Sequence, residues 1–265
     1  MQFTKMQALG NDYIYLDCTK EEPDRLPELA VRLSERHFGV GGDGLICLCP
    51  SRRADFRMRM FNADGSEGEM CGNGLRCLAK FAYDRGLWRG EALSIETNTG
   101  VKEIHLQIEG GTVTGATVDM GPPVFAETCT IFAFDKEYYF ICVSMGNPHA
   151  VALCVAPEEM DLARIGPLVE RHPHFPGRTN VEFAAVETPG RIRVRVWERG
   201  SGETLACGTG ACAAVAALAD RGLCRPEAEV VLPGGSLRVR WDRAGGSLYL
   251  TGPAATVFEG VWPDD

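Results

Sequence analysis

The chain has 265 residues, of which 45% are hydrophobic and 24% charged, a composition typical of a globular protein. This length is enough to bury a sizeable core, in one large domain or two small ones. A net charge of −9 argues against nucleic acid or an anionic membrane as the main partner, and no apolar stretch has the length of a transmembrane helix. The first residues lack the pattern of a signal peptide, so we expect a cytoplasmic protein.

The first half of the chain alternates strand-like and helical segments. An aromatic and β-branched run follows Gly10-Asn11, and residues 28 to 37 predict a helix. A glycine-rich loop carrying Cys71 then leads into a helical run that ends before Gly86. Further strands are predicted at 45–48, 58–61, 94–108 and 112–120.

Residues 39 to 44 match the G-x-G-x-x-G pattern of dinucleotide-binding loops. That fingerprint requires a strand before it and a helix after it. Here a helical run precedes the glycines and a strand-like run follows them, so we exclude a nucleotide site.

The second half repeats this organisation. A helix is predicted at 161–170, and a strand at 192–197 leads into a second glycine-rich loop, which carries Cys207. The helical run 211–220 is almost wholly apolar or small, which predicts a helix buried inside a sheet. Strand-like segments follow at 228–241 and 247–252.

An internal duplication explains the two halves. Residues 57 to 87 align without a gap with residues 193 to 223, at an offset of 207 − 71 = 136, and the same offset relates Gly10-Asn11 to Gly146-Asn147. We therefore predict an α+β fold of two pseudo-symmetric lobes, each a curved mixed β-sheet around a central helix. The predicted first lobe is 1–117 with a returning C-terminal strand at 253–265, and the second is 118–252.

Cysteine usage does not indicate a disulfide scaffold or a metal site. The eleven cysteines include no C-x-x-C, and His172 and His174 have no cysteine near them in the sequence. We expect most of these thiols to be reduced and buried as small hydrophobic residues. This expectation applies to Cys18, Cys47, Cys49, Cys129, Cys142, Cys154 and Cys224.

Cys71 and Cys207 differ from the others because each precedes a predicted helix at matched places in the duplication. The first N–H groups of a helix and its macrodipole stabilise a thiolate, which predicts a lowered thiol pKa, and they also bind carboxylates. Two such thiols facing one substrate carbon would form the opposed acid and base that stereoinversion requires. The alternatives are small residues in tight turns, or a redox pair that cycles through a disulfide.

The chain resembles diaminopimelate epimerase over nearly its whole length. The segments FTKMQALGNDYIYLD, FNADGSEGEMCGNG, MGNPH, RTNVEF and ERGSGETLACGTGA are similar to that family's motifs and occur in the same order. The resemblance implies cofactor-independent epimerisation of L,L-diaminopimelate to the meso isomer, in lysine and peptidoglycan precursor synthesis. It also implies a homodimer and no metal.

The resemblance further assigns roles to individual residues. Cys71 and Cys207 fall on the catalytic pair, and His149 and Glu198 on groups that tune thiol pKa values. The substrate-binding positions are Asn11, Asn62, Gly72, Asn73, Asn147, Asn180, Glu198, Arg199, Gly208 and Thr209. The chain departs from the pattern at Gly44, where some members have Gln, and at 257–260, where VFEG replaces the V-Y-D-G associated with dimer contacts.

Other functions are compatible with the same motifs. One is racemisation of another amino acid, such as histidine or a lanthionine-type diamino acid. A non-catalytic amino-acid-binding module and a thiol redox protein belong to different classes, and solvent deuterium incorporation at the α-carbon separates them from an epimerase.

Overall fold

The computed structural model describes residues 1–68 and 70–263. The chain divides into two compact units: unit 1 contains Met1–Val118 and the segment from Thr251 onward, and unit 2 is Asp119–Leu250. The predicted returning strand at 253–265 includes residues 264 and 265, which lie outside the described residues. Within the described ranges, no helix is long and apolar enough to cross a membrane.

The described residues form many short strands and a few helices. The helices are α1 (Leu26–Ser34), α2 (Gly72–Asp84), α3 (Leu162–Glu170) and α4 (Gly208–Asp220), with a 3-10 turn at Pro157–Glu159. The strands are β1 (Gln2–Ala8), β2 (Asn11–Asp17), β3 (Gly44–Cys49), β4 (Phe56–Asn62), β5 (Ala92–Thr97), β6 (Gly100–Glu109), β7 (Thr112–Gly121), β8 (Val124–Phe125), β9 (Cys129–Ala133), β10 (Lys136–Ser144), β11 (Pro148–Leu153), β12 (Asn180–Thr188), β13 (Arg191–Glu198), β14 (Gly202–Thr204), β15 (Glu227–Leu232), β16 (Gly235–Trp241), β17 (Leu248–Pro253) and β18 (Ala255–Val261).

The two units share one pattern of strand pairing. In unit 1, β1–β2, β3–β4 and β5–β6 pair antiparallel, whereas β2–β3 and β4–β5 pair parallel. In unit 2, β10–β11, β12–β13 and β15–β16 pair antiparallel, whereas β11–β12 and β13–β15 pair parallel. The returning strand β18 pairs antiparallel with β1. The predicted fold of two similar halves with mixed sheets is therefore confirmed.

Each sheet packs on one helix that starts at a cysteine. α2 contacts β1, β2, β3 and β6, and α4 contacts β10 to β13 together with β15 and β16. All residues of α4 from Gly210 to Ala219 are buried. A helix without a polar face gains stability only when it is surrounded by other apolar surface, as the sequence predicts.

The offset of 136 found in the sequence also relates the helix bounds. Adding 136 to the first and last residues of α2 gives the first and last residues of α4, since 72 + 136 = 208 and 84 + 136 = 220. The ends of α1 likewise move onto those of α3, since 26 + 136 = 162 and 34 + 136 = 170. The prediction of a helix at 28–37 was wrong at both ends. At the start, Pro27 occupies the first turn of α1, where a proline is tolerated. At the end, the N–H groups of Val40 and Gly41 both donate to the carbonyl of Leu33 at 2.9 Å, and α1 ends at Ser34.

Most of the seven cysteines expected to be buried are buried, but the expectation that no cysteine lies near the paired histidines was wrong. Cys129 and Cys154 are only partly buried, whereas the other five cysteines of that group are buried. Along the sequence, His172 and His174 have no cysteine near them, but the fold brings Cys129 and Cys142 next to His174. Residues from β9, β10 and the α3–β12 connection meet there, a proximity that spacing along the chain does not reveal.

Candidate active site

The two predicted catalytic cysteines are the N-cap residues of their helices. Cys71 precedes α2 and Cys207 precedes α4, and both have extended backbone conformations. Each sulfur accepts a hydrogen bond from the N–H three residues later, from Gly74 and Gly210 respectively, at 3.4 Å in both cases. Both thiols therefore lie at the positive end of a helix dipole.

In unit 1, Cys71 is held by an asparagine and an aspartate. Its thiol donates to Asn11 Oδ1 at 3.3 Å, and Asn11 Nδ2 donates to Asp43 Oδ2 at 2.8 Å. Asp43 also accepts the backbone N–H of Asp12 at 3.1 Å. Sequence reasoning missed Asp43, although it lies inside the glycine-rich segment that was rejected as a nucleotide loop.

Arg76 is a second residue that sequence reasoning missed in unit 1. Its side chain is 0% exposed and donates to Asn73 Oδ1 at 2.8 Å and to the carbonyl of Gly72 at 3.3 Å. A third bond goes to the carbonyl of Pro253 at 3.2 Å. These bonds fix the first turn of α2 and the orientation of the Asn73 amide. The nearby Asn62 donates to Ser66 Oγ at 2.9 Å.

In unit 2, a chain of hydrogen bonds leads from Cys207 into the core. The Cys207 sulfur lies 3.4 Å from Thr209 Oγ1, which accepts from Asn147 Nδ2 at 3.3 Å. Asn147 Oδ1 lies 3.1 Å from His149 Nε2, and His149 Nδ1 lies 2.6 Å from Glu182 Oε1. The imidazole of His149 therefore links the side chain of Asn147 to the buried carboxylate of Glu182.

Glu182 is the functional candidate that sequence reasoning missed most clearly. Its side chain is 0% exposed, and Oε2 has no hydrogen-bond partner among the described residues. A Cβ atom placed on Gly210 would lie 2.8 Å from Glu182 Oε1, so the carboxylate lies directly against the first turn of α4. The available signal was a glutamate within the otherwise apolar strand run NVEFAAV.

The expectation of a lowered thiol pKa is wrong for Cys207. Burial, followed by the negative charges of Glu198 and Glu182, raises the pKa of this thiol well above its ordinary value. The hydroxyl of Thr209 and the N–H of Gly210 act in the opposite direction but do not prevail. Burial also raises the pKa of Glu198, which hydrogen-bonds to Cys207 and accepts the hydroxyl of Thr204.

The duplication leaves the two thiols in different electrostatic surroundings. At the offset of 136, the side chains around Cys207 correspond to uncharged residues around Cys71. The pairs are His149 with Tyr13, Glu182 with Ile46, and Glu198 with Asn62. A Cβ atom on Gly74 would lie 2.6 Å from Ile46 Cδ1, just as one on Gly210 would meet Glu182, so these two positions are equivalent in space within their own units.

Asn180 joins two backbone segments of unit 2. Its Nδ2 donates to the carbonyl of Pro148 at 2.8 Å, and its Oδ1 accepts the backbone N–H of Arg199 at 2.9 Å. The guanidinium of Arg199 donates to the carbonyl of Gly177 at 3.2 Å. Asn180 therefore fixes the backbone position from which the Arg199 side chain extends.

Gly44 is the counterpart of Asn180 in unit 1, since 180 − 136 = 44. A Cβ atom at Gly44 would lie 2.1 Å from the carbonyl oxygen of Phe61, on the neighbouring strand. No side chain fits there without moving backbone. The close approach of β3 and β4 therefore requires glycine at this position.

A cavity of about 360 Å³ in unit 1 lies at the opposite end of α2 from Cys71. Its charged lining residues are paired, with Lys80 2.9 Å from Asp84 and Arg85 3.3 Å from Glu259. Because the chemistry-bearing residues lie at the helix start, we assign this cavity no role in the reaction.

A family model and several known proteins match this chain over nearly its whole length. The family model described as diaminopimelate epimerase matches residues 3–126 and 141–257. The diaminopimelate epimerase of Desulfovibrio desulfuricans is 49% identical, over 99% of this chain and 98% of that protein. The enzyme of the same name from Methanococcus maripaludis strain C5 is 48% identical, over 98% of this chain and 99% of its own length.

Solved structures with low sequence identity share the fold. A hydroxyproline epimerase from Agrobacterium vitis aligns with a TM-score of 0.73 and 19% identity, covering 98% of this chain and 90% of its own. A Bacillus anthracis phenazine biosynthesis protein of the PhzF family aligns with a TM-score of 0.75 and 18% identity, covering 98% of both chains.

Proposed function

Because the chain belongs to the diaminopimelate epimerase family, we propose that it interconverts L,L- and meso-diaminopimelate, using neither pyridoxal phosphate nor a metal ion in the reaction. The product serves lysine and peptidoglycan precursor synthesis. One observation carries the mechanism: each copy of the duplication contributes one cysteine as the N-cap of a buried helix.

The proposed reaction uses Cys71 and Cys207 as a pair of bases on opposite faces of one α-carbon. One thiolate takes the α-proton, and the electron pair of the broken C–H bond remains on the α-carbon and its carboxylate. The other thiol then donates its proton to the opposite face, which inverts the configuration. First-turn N–H groups of Gly72, Gly208 and Thr209 have no acceptor within their own helices, and in this proposal they bind the carboxylate and stabilise its growing charge.

The unequal surroundings of the two thiols suggest their resting states. Cys207 is buried beside two carboxylates, and its raised pKa favours the neutral thiol, so we assign it the role of acid in the resting enzyme. Cys71 is then the base in that turnover, after its thiol gives up the proton that it donates to Asn11 Oδ1 in this structure, and the roles exchange in the reverse reaction. Glu182 acts as a positioning residue: its hydrogen bonds lead to Cys207 through His149, Asn147 and Thr209, and its charge also raises the pKa of that thiol.

The polar groups around the thiols suit a substrate with an amino and a carboxyl group at each end. Asparagine offers a donor and an acceptor in one side chain, and arginine binds a carboxylate through two N–H groups. We propose that the shell binds both ends of the substrate. Its side-chain members are Asn11, Asn62, Asn73, Asn147, Asn180, Glu198 and Arg199.

We also propose a cytoplasmic homodimer. All eleven cysteines are free thiols, which suits a reducing compartment. Val257, Phe258 and Val261 of β18 are 56%, 46% and 71% exposed. Val257 and Phe258 lie in the segment 257–260 that the family resemblance associates with dimer contacts, and Val261 follows it directly. Burial of these side chains against a second copy would remove them from water.

Solvent deuterium incorporation tests the proposed function. In heavy water, L,L-diaminopimelate should gain one deuterium at the inverted α-carbon, whereas histidine and proline should not exchange. We expect Cys71→Ala and Cys207→Ala each to abolish epimerisation while the circular dichroism spectrum stays unchanged. Exchange in histidine or a lanthionine-type substrate would reassign the substrate, and no exchange with any amino acid would favour a binding module.

A further inference from the structure

Unit 2 contains a second group of reactive side chains that the epimerase reaction does not use. Cys129, Cys142 and His174 each present one potential ligand atom, and these three atoms all lie within 4.8 Å of one another. Cys129 is partly buried, Cys142 is buried and His174 is exposed. The proposed mechanism assigns none of the three a role.

The β9–β10 hairpin brings the two cysteines to one face of the sheet. Cys129 pairs directly with Phe140 in the antiparallel register, and Cys142 follows two residues later on the same strand. Residues two apart on a strand point to the same face, as do directly paired residues on neighbouring strands. The two sulfur atoms therefore approach each other diagonally across the hairpin.

His174 reaches the pair from the connection between α3 and β12. Its backbone N–H donates to His172 Nδ1 at 3.2 Å, and its ring packs edge-on against Phe175 with the ring centres 4.9 Å apart. Phe175 in turn packs against the apolar core that contains Cys142 and borders Cys129. The imidazole is thus carried by a loop anchored to the same core as the two thiols.

We propose that Cys129, Cys142 and His174 bind a Zn²⁺ ion, with a water molecule as the fourth ligand. Zinc prefers thiolate and imidazole ligands in tetrahedral geometry, with Zn–S distances of about 2.3 Å. Two sulfurs bound at that distance lie roughly 3.8 Å apart, which is compatible with the observed spacing. Binding converts both thiols to thiolates and releases their two protons to solvent, while the imidazole binds in its neutral form.

The proposed ion connects the hairpin to a loop that leads into the candidate active site. The carbonyl of Gly177, three residues after His174, accepts a hydrogen bond from the Arg199 guanidinium, and Asn180 begins the next strand. Coordination at His174 therefore restrains this loop from a point outside the reacting groups. The ion has a structural role in this proposal and takes no part in proton transfer.

Cobalt substitution tests the site directly. Full-length protein is stripped with a chelator, kept reduced and titrated anaerobically with Co²⁺. We expect one cobalt per chain, with the visible absorption of a tetrahedral site, a thiolate-to-cobalt charge-transfer band, release of two protons and displacement by Zn²⁺. The His174→Ala variant should bind more than about ten-fold more weakly. Because His174 is exposed, this variant should keep the wild-type circular dichroism spectrum.

Two controls separate this site from the other thiols. Cys154→Ser removes a partly buried cysteine that packs against the same core and should leave cobalt binding unchanged. The Cys71→Ala/Cys207→Ala double variant should also retain the absorption. The proposal is overturned if His174→Ala binds cobalt as tightly as the wild type, or if the double variant loses the signal. It is equally overturned if the reduced protein binds no cobalt, even though formation of a Cys129–Cys142 disulfide in air shows that the two thiols lie close together.

Discussion

The buried pair of His149 and Glu182 offers the sharpest test of the network behind Cys207. Both side chains are 0% exposed, and His149 Nδ1 lies 2.6 Å from Glu182 Oε1. Removing one member of such a pair typically destabilises a protein by about 3–5 kcal/mol, because the other member is left buried and unpaired. We therefore expect Glu182→Ile alone to lower the free energy of unfolding by about 3–5 kcal/mol, with one ring nitrogen of His149 left without an acceptor.

Unit 1 supplies a natural apolar replacement for the same pair. Tyr13 and Ile46 occupy the equivalent positions and are themselves 6% and 0% exposed. Exchanging a buried ion pair for well-packed apolar residues is often neutral or stabilising. We expect the double variant His149→Tyr/Glu182→Ile to recover most of the lost stability, to within about 1–2 kcal/mol of the wild type. Epimerase activity should not recover, because the link from Glu182 through His149 to Asn147 is lost.

Urea unfolding followed by tryptophan fluorescence measures the effect, and one of the four tryptophans, Trp197, lies on the strand paired with that of Glu182. The wild type, both single variants and the double variant form a complete cycle. A Glu182→Ile variant that loses less than about 1 kcal/mol would contradict a stabilising contact between the buried Glu182 carboxylate and the His149 ring. A loss in the double variant equal to the sum of the losses in the two single variants would show that His149 and Glu182 are not coupled.

Two further predictions concern a charge and a close backbone contact. Glu198→Gln removes a negative charge that raises the pKa of Cys207, so the thiolate should form, and iodoacetamide should react, at lower pH than in the wild type. Peptide mapping by mass spectrometry measures the alkylation of Cys207 alone. Glu203→Gln, on the neighbouring strand, is the control. An unchanged pH profile in Glu198→Gln would contradict the assignment of the raised Cys207 pKa to the charge of Glu198. Gly44→Ala should destabilise the protein by more than about 2 kcal/mol in thermal unfolding, since its Cβ would overlap a backbone oxygen. Gly190→Ala, with no atom within 4 Å of the added Cβ, should have little effect, and equal losses in both variants would refute this explanation.

Much of the fold could be predicted because a duplication appears directly in the sequence. The offset of 136 aligned both cysteine loops, and the structure extends the same offset to the bounds of all four described α-helices. The positions of Cys71 and Cys207 as N-caps also followed from local pattern, since a glycine-rich loop before an apolar helical run specifies a helix start. These features are local along the chain, and helix formation depends strongly on local sequence.

The electrostatic character of each thiol was decided only by the tertiary structure. Asp43 and Glu182 lie more than 30 residues from Asn11 and His149, their partners in the site, and Arg76 bonds both within its own helix and to the distant carbonyl of Pro253. The lowered pKa expected for Cys207 was wrong because burial and carboxylates from separate strands outweigh the helix dipole. The cluster of Cys129, Cys142 and His174 also depends on the fold, because a loop about 30 residues further along the chain brings His174 to the β9–β10 hairpin that carries both cysteines. The sequence determines the duplication and the two helix starts, whereas charge, burial and ligand geometry depend on which side chains the fold brings together.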